Sequence, residues 1–261
     1  MQGLMAADNR GGHFASFNDN CAVPVAPATE SYAPVANGDL VRLIKDRIDT
    51  VLDMGIRSEG YALSGKDQQM FGVITLDTGM DTKDTGMSIG FRNSYDRTLS
   101  VGIASGSQVF VCSNLCFSGE SMRVLRKHTL HVWKDVQATI NTALGDSHYY
   151  HQRIELEASC WKEQEVEQDE GYEVIGRAMG HGVLLPQQAT VALKDWKTAR
   201  HAAFEPRSAW SLYNCFTEGL KKGRAALALN RHTAAHDWFR EQYDTSSAVV
   251  EQGVLDLTTM N

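Results

Sequence analysis

The feature that most constrains the fold is the segment 90–114, where short alternating apolar runs are separated by residues typical of turns. Alternation with period two is typical of a half-buried β-strand, and a glycine between two such runs supplies the positive φ of a tight hairpin. The segment therefore predicts two hairpins, one turning at 93–96 and the next at Ser105-Gly106. The apolar positions on either side of the second turn are Leu99, Val101, Ile103, Val109 and Val111.

Similar patterns extend this interpretation to a whole sheet. Runs rich in β-branched and aromatic residues alternate with Ser-Gly and Asp-Thr-Gly connections, which are typical of turns between antiparallel strands. We therefore predict an antiparallel β-meander. Its strands are expected at 58–63, 69–76, 86–92, 98–104 and 107–113.

Apolar residues at helical spacing predict a series of helices around this meander. One begins at Asn37-Gly-Asp39 and ends at Gly55, and a long helix over 118–144 is expected to end at Gly145. The fold class is therefore α+β, an antiparallel β-meander packed against long helices with a helical C-terminal part. The remaining helices are expected over 148–171, from Pro206 onward and over 230–243, and Pro186 is expected to break the chain between them.

The chain of 261 residues is expected to form a single α+β domain over 37–243. Residues 1–36 are rich in Gly, Asn, Ala and Pro without a sustained period, which favours a flexible N-terminal arm. Four acids and no base follow Arg240, and we interpret 244–261 as an acidic C-terminal tail.

Composition excludes several classes of protein. No apolar run approaches the ~20 residues of a membrane helix, and the N-terminal residues lack the apolar core of a signal peptide. We therefore expect a cytoplasmic protein that does not contact a membrane. The five cysteines are odd in number and lie mostly among apolar residues, which is typical of reduced thiols.

Two short motifs lie in the segment 90–114, namely Asn93-Ser-Tyr-Asp96 and Val111-Cys-Ser-Asn114. They resemble the centre of a family of uncharacterised phage/plasmid-like proteins carried on prophages, phages and plasmids. Tyr95 stands where that family usually has histidine, and Arg97 stands where it has glycine. A role that depends on that histidine therefore does not carry over to this chain.

A second part of the chain follows the same family in its helical pattern of Trp, Asn, Glu and Lys-Gly residues. The two parts together cover roughly 60–240. Because the function of the family is not settled, the resemblance implies a mobile-element context and not an activity. The matching residues are Arg207, Trp210, Asn214, Glu218, Lys221, Gly223, Asn230 and Trp238.

Five groups of residues have the types that bind metals or catalyse. His128, His131 and Asp135 share one face of the predicted long helix and could ligate zinc or manganese, but packing in the core is the favoured interpretation. The same holds for His148 with His151 and for His232 with His236, and Cys112 with Cys116 lacks the second close pair of a zinc site. The turn aspartates Asp77, Asp81, Asp84 and Asp96 could hold a divalent ion, although turns use aspartate for its own hydrogen bonds.

No Walker-type glycine motif, Gly-x-Ser-x-Gly elbow or dinucleotide fingerprint occurs in the sequence. We therefore predict no catalytic residue, no bound metal and no cofactor. A metal-dependent nuclease or nucleotide hydrolase stays open as the enzymatic alternative. A protein that binds a host component and acts against defence or transcription is the third possibility.

The basic residues are unevenly placed and favour a nucleic-acid partner. Residues 194–240 contain nine bases against four acids, although the net charge is −7. Cations beside aromatic rings are typical of single-strand binding, and a meander followed by a long helix is similar to phage single-strand annealing proteins. We therefore predict a homo-oligomeric protein of mobile-element DNA metabolism that binds single-stranded DNA, as an annealing or replication accessory. The predicted binding residues are Arg92, Tyr95, Arg97, Arg123, Arg126, Lys127, Lys221, Lys222 and Arg224.

Overall fold

An antiparallel sheet forms the centre of the protein in the computed structural model, which describes residues 12–77, 85–124 and 132–245. Six strands follow one another in sequence order across the sheet, and the short seventh strand pairs with the fifth. The predicted meander is confirmed. The strands are β1 (His13–Ala15), β2 (Gly55–Ser64), β3 (Gln69–Asp77), β4 (Thr85–Ser94), β5 (Gly102–Val109), β6 (Asn114–Phe117) and β7 (Arg123–Val124).

Two α-helices lie between the first and second strands, and helices make up the C-terminal half, which confirms the α+β class and the helical C-terminal part. None of the helices that the structure describes has both the length and the apolar character needed to cross a bilayer. The helices are α1 (Phe17–Ala22), α2 (Asn37–Arg47), α3 (Val132–Gly145), α4 (Ser147–Glu163), α5 (Gln168–Gly180), α6 (Pro186–Lys197), α7 (Ala209–Leu220) and α8 (Ala228–Gln242).

Both faces of the sheet are covered, because neighbouring strand residues point to opposite sides. On β3, Ile74 packs with α2 and α3 on one face, whereas Phe71 and Val73 pack on the other face against Leu229 of α8. A second core lies among α4 to α8 and is centred on Trp161, which contacts several aromatic rings. The sheet is therefore a buried scaffold, and the C-terminal helices form the surface around its β5–β6 end.

The second predicted hairpin turn is wrong, because Ser105 and Gly106 lie in the middle of β5. Gly106 pairs with Ser88 on one side and Phe117 on the other. The chain instead turns between β5 and β6, where Ser113 has a φ of 56°. Glycine is needed at 106 because β6 packs closely against it: a Cβ there would collide with the carbonyl oxygen of Cys116 and the ring of Phe117.

We expect Gly106→Ala to lower the free energy of unfolding by about 1–3 kcal/mol or more, because overpacking a strand interior forces the backbone to move. The measurement is urea unfolding. Gly176→Ala is the matched control, since an added Cβ on this exposed α5 residue meets nothing within 4 Å. Equal stability of the Gly106→Ala variant and the unchanged protein would contradict this account of the strand.

Several helix boundaries differ from the predictions because caps and short turns interrupt the apolar periodicity. The continuous helix predicted over 118–144 is wrong: Ser118 caps a short 3-10 turn, β7 follows, and α3 begins only at Val132. The helix predicted over 148–171 is divided in two between α4 and α5 at residues 164–167.

The two prolines also act differently from the prediction. Pro186, predicted only to break the chain, is the first residue of α6, where its missing N–H costs nothing. Pro206 precedes α7 without opening it, because Ser208 is the N-cap and its side chain accepts a hydrogen bond from the Ser211 N–H. The helix predicted to end at Gly55 ends instead with a π-turn and Asp53 at a φ of 52°.

The predicted flexible arm differs from the structure in its described part, residues 12–36. β1 pairs with β2, and Val35 is fully buried in the core beneath the sheet. A hydrogen bond from the end of β4 holds the segment in place. Asn93 Nδ2 donates to the Val35 carbonyl at 2.7 Å. Residues 1–11 and the predicted tail beyond Thr245 lie outside the described residues.

Candidate ligand-binding site

The two sequence segments that resemble the phage/plasmid-like family meet at the β5–β6 end of the sheet. Asn114 begins β6 and lies 100 residues before Asn214 of α7. The Asn114 Nδ2 group donates to both the main-chain and side-chain oxygens of Asn214, each at 3.1 Å. Cys112 Sγ lies 3.6 Å from the same side-chain oxygen. The fold therefore joins both motifs at one place.

A chain of alternating charges lies beside this junction. The Arg200 guanidinium donates to Asp195 Oδ1 at 3.0 Å and to Glu218 Oε1 at 2.6 Å. Lys221 Nζ donates to the other Glu218 oxygen at 2.6 Å and to the Cys112 carbonyl at 2.7 Å. Each carboxylate is thus held by a cation, and Lys221 ties α7 to the turn after β5.

Asp195, Arg200 and Glu218 line a small cavity of about 110 Å³ between the end of α6 and α7. The Asp195 and Glu218 side chains are 11% and 14% exposed, so the carboxylates are largely removed from water. Burial raises the pKa of Asp195, against the opposing effect of the Arg200 charge. Burial also raises the pKa of the Cys112 thiol to about 11, which makes this thiol a poor nucleophile at neutral pH.

A larger apolar groove adjoins the cavity, and Phe204 lines both. The groove has a volume of about 470 Å³ and is formed by the turn after β5 and the connection between α6 and α7. Lys162 Nζ lies 5.9 Å from the centre of the Trp210 ring at the groove. Apart from Lys162, the described residues that line the groove are uncharged. They are Val109, Val111, Ala203, Phe204, Pro206, Ser208, Trp210 and Ser211.

The predicted nucleic-acid-binding residues that the structure describes do not form one exposed surface. Arg92 is buried on β4, where it donates to Asn230 of α8, and burial lowers its pKa. Tyr95 is buried too, and its hydroxyl accepts from the Asn37 N–H at 2.8 Å. These two residues therefore connect structural elements.

The other predicted cations have different surroundings. Arg97 is exposed and lies 4.3 Å from the Tyr32 ring centre, whereas Arg123 forms an ion pair with Asp146 at 3.2 Å. Lys221 is buried and donates to Glu218, beside the cavity described above. Lys222 is partly buried and Arg224 is exposed, both between α7 and α8. Arg126 and Lys127 lie outside the described residues.

The candidate metal ligands are separated or lie outside the described part of the chain. His128, His131, Asp81 and Asp84 lie outside it, and Asp135 is exposed on α3. Asp96 lies 2.8 Å from Gln69 at the start of β3, whereas Asp77 ends the strand about 27 Å away, so the two cannot share an ion. The described residues contain no group of three or more His, Cys, Asp and Glu side chains placed to hold a metal.

Ser107, His151 and Glu155 are arranged like a catalytic triad, but the serine is not accessible to a substrate. Ser107 Oγ lies 2.7 Å from His151 Nδ1, and His151 Nε2 lies 3.6 Å from Glu155. The Ser107 side chain is fully buried within the sheet. A buried hydroxyl cannot meet a substrate, so these contacts attach α4 to β5. His148 is exposed, whereas His232 and His236 are buried on α8, as the packing interpretation expects.

Sequence reasoning missed Asp195, Arg200 and Phe204. All three lie in the charged run between Lys194 and Arg207, whose excess of bases predicts only an anionic partner. The alternation of acids with bases in that run was the available signal, because alternating charges on a connection between helices favour an ion-pair network.

Comparison with known proteins gives one match. A family model described as a domain of unknown function (DUF932) matches residues 27–250, which include both motif segments and every described residue of the cavity and groove. Searches of curated proteins and of solved structures found no match.

Proposed function

The chain belongs to the DUF932 family of domains of unknown function, and we propose that it binds single-stranded nucleic acid with one base in the groove beside Phe204. The observation that carries the proposal is the groove itself, an apolar recess with aromatic walls and a lysine at its side. Sequence-tolerant single-strand binding needs this combination, because rings stack on bases while cations hold the phosphates.

The charges around the groove support an anionic ligand with an apolar part. Lys162 lines the groove, and Arg207 lies in the chain between two residues that line it. Lys194 and Lys197 are exposed on the last turn of α6, next to the same connection. Three bases of the basic segment, Lys194, Lys197 and Arg207, thus lie on or next to the connection that forms the groove, whereas Arg200 and Lys221 are engaged by Asp195 and Glu218. The resemblance to phage/plasmid-like proteins makes DNA of a mobile element the expected partner.

We expect the full chain to bind a labelled single-stranded oligonucleotide, measured by fluorescence anisotropy, with an affinity that falls as salt rises. Each phosphate neutralised contributes about −0.7 to the slope of log affinity against log salt. Phe204→Ala should weaken binding by about 1–3 kcal/mol, or roughly 5- to 150-fold, through loss of base stacking. Lys162→Glu should weaken binding and make the slope shallower.

Two comparisons separate this groove from other surfaces. Lys134→Glu changes an exposed lysine on α3 and should leave the affinity unchanged. Arg123→Gln tests the surface at the start of the predicted long helix, and the groove proposal expects little effect there. Oligonucleotides that fail to bind even at low salt, or that bind equally well to the Phe204→Ala variant, would overturn the proposal.

A further inference from the structure

We infer that the cavity beside the groove recognises the exocyclic amino group of a base, as on cytosine or adenine. This inference rests on the proposed binding of single-stranded nucleic acid. It concerns selectivity between bases, which the apolar groove cannot supply by itself, because every base has a face that can stack.

The position of the cavity is the first step. Phe204 lines the groove and the cavity from the same connection between α6 and α7. A base that stacks on this ring in the groove has its edge close to the cavity. The cavity, of about 110 Å³, is too small for a nucleotide but has room for a polar substituent and water.

Among the residues that the structure describes, the cavity wall offers one hydrogen-bond acceptor that has no donor. Asn114 is 1% exposed and lines the cavity, and its Oδ1 atom has no hydrogen-bond partner in the described residues. Its Nδ2 group is committed to Asn214, so Oδ1 is the atom that remains for a ligand. A buried acceptor left unpaired costs about 1–3 kcal/mol, which a donor from a ligand would recover.

Two arginines line the cavity, and each has a contact of its own. Arg200 donates to Asp195 and Glu218, and the Arg207 guanidinium lies 5.8 Å from the Trp196 ring centre. Lys221, outside the cavity, donates to Glu218 and to the Cys112 carbonyl. We therefore expect the cavity to prefer a hydrogen-bond donor, because its wall carries three carboxylates and the amide of Asn114. The carboxylates belong to Asp195, Glu205 and Glu218. The His201 ring lies edge-on to the Phe204 ring. Carboxylates accept from the N4 amino group of cytosine, whereas uracil presents a carbonyl oxygen at the same position.

The test compares oligo(dC) with oligo(dU) of equal length, because the two bases have the same ring size and differ only at this edge. We expect the full chain to bind oligo(dC) about tenfold more tightly, within the range of one specific base contact. Asp195→Asn replaces an acceptor oxygen by an amide donor and should reduce this ratio to about one. Asp169→Asn, an exposed change on α5, is the matched control and should keep the ratio.

The outcomes separate the two proposals. Equal affinity for oligo(dC) and oligo(dU), with the Phe204→Ala effect intact, overturns the inference about the cavity and leaves binding in the groove standing. A preference that persists unchanged in the Asp195→Asn variant also overturns it. Absence of binding to either oligonucleotide overturns the proposed function itself. The ratio in the unchanged protein decides the question even if the Asp195→Asn variant does not fold.

Discussion

Replacing Glu157 by alanine is expected to lower the free energy of unfolding by about 3–5 kcal/mol, the cost of removing one partner from a buried ion pair. Glu157 is 1% exposed on α4. Arg240 Nε lies 2.9 Å from its Oε1 atom and Arg153 Nε lies 3.4 Å from the same oxygen. His236 Nε2 lies 3.1 Å from the other oxygen. The substitution would leave these groups without their buried anion.

The pKa of Glu157 supports this interpretation. Burial alone would raise it, but His236, Arg240 and Arg153 together hold the pKa below its usual value. The folded state therefore stabilises the ionised carboxylate. Because a carboxyl group with a lowered pKa contributes stability that is lost as the pH falls through that pKa, acid should weaken the protein partly through this residue.

Urea unfolding of three variants tests the prediction. Glu157→Gln keeps the side-chain shape without the charge and should be destabilised less than Glu157→Ala. Glu120→Gln changes an acid that contacts the same two arginines but is 47% exposed, so it should cost at most about 1 kcal/mol. A Glu157→Ala protein as stable as the Glu120→Gln protein would show that the buried network has no net role.

Much of the fold could be predicted from the sequence, because the sheet and helices carry local signals. Alternation locates β2 to β4 closely, and helical spacing locates the starts of α2 and α4 and nearly the whole of α8. The errors lie where a contact distant in sequence decides the local structure. Gly106 reads as a turn residue, yet the closeness of Cys116 and Phe117 places it within a strand. The β5–β6 turn needs no glycine, since Ser113 adopts the positive φ.

The candidate site was less predictable than the fold. Asn114 and Asn214 were found through a resemblance to a family, but nothing local showed that they contact each other. A count of bases cannot tell an exposed lysine from a buried one, and Lys221, at 7% exposure, is held by Glu218. The charge of a segment thus predicts a partner only after the internal ion pairs are known.

His232 is expected to make the protein markedly less stable as the pH falls from about 6.5 to about 4. It is 2% exposed on α8. Burial lowers its pKa to about 4, a backbone hydrogen bond with Leu115 opposes this, and the Lys221 charge adds to it. The folded protein therefore keeps His232 neutral over a pH range in which the unfolded chain is protonated. Stability is fully present above the unfolded pKa of about 6.5 and is lost progressively below it.

The size of the effect follows from the difference between the two pKa values, at 1.36 kcal/mol for each unit, and amounts to about 3 kcal/mol at the acid end. The measurement is the free energy of urea unfolding as a function of pH. His232→Gln removes the titrating ring and should flatten the curve between about pH 6.5 and pH 4, leaving the contribution of Glu157 and other carboxylates. His148→Gln, an exposed change on α4, should give a curve parallel to that of the unchanged protein. A parallel curve for His232→Gln would contradict the prediction. It would mean that the folded protein accepts a proton at His232 at little cost in free energy, and that α8 packs against Leu115 more loosely than this structure shows.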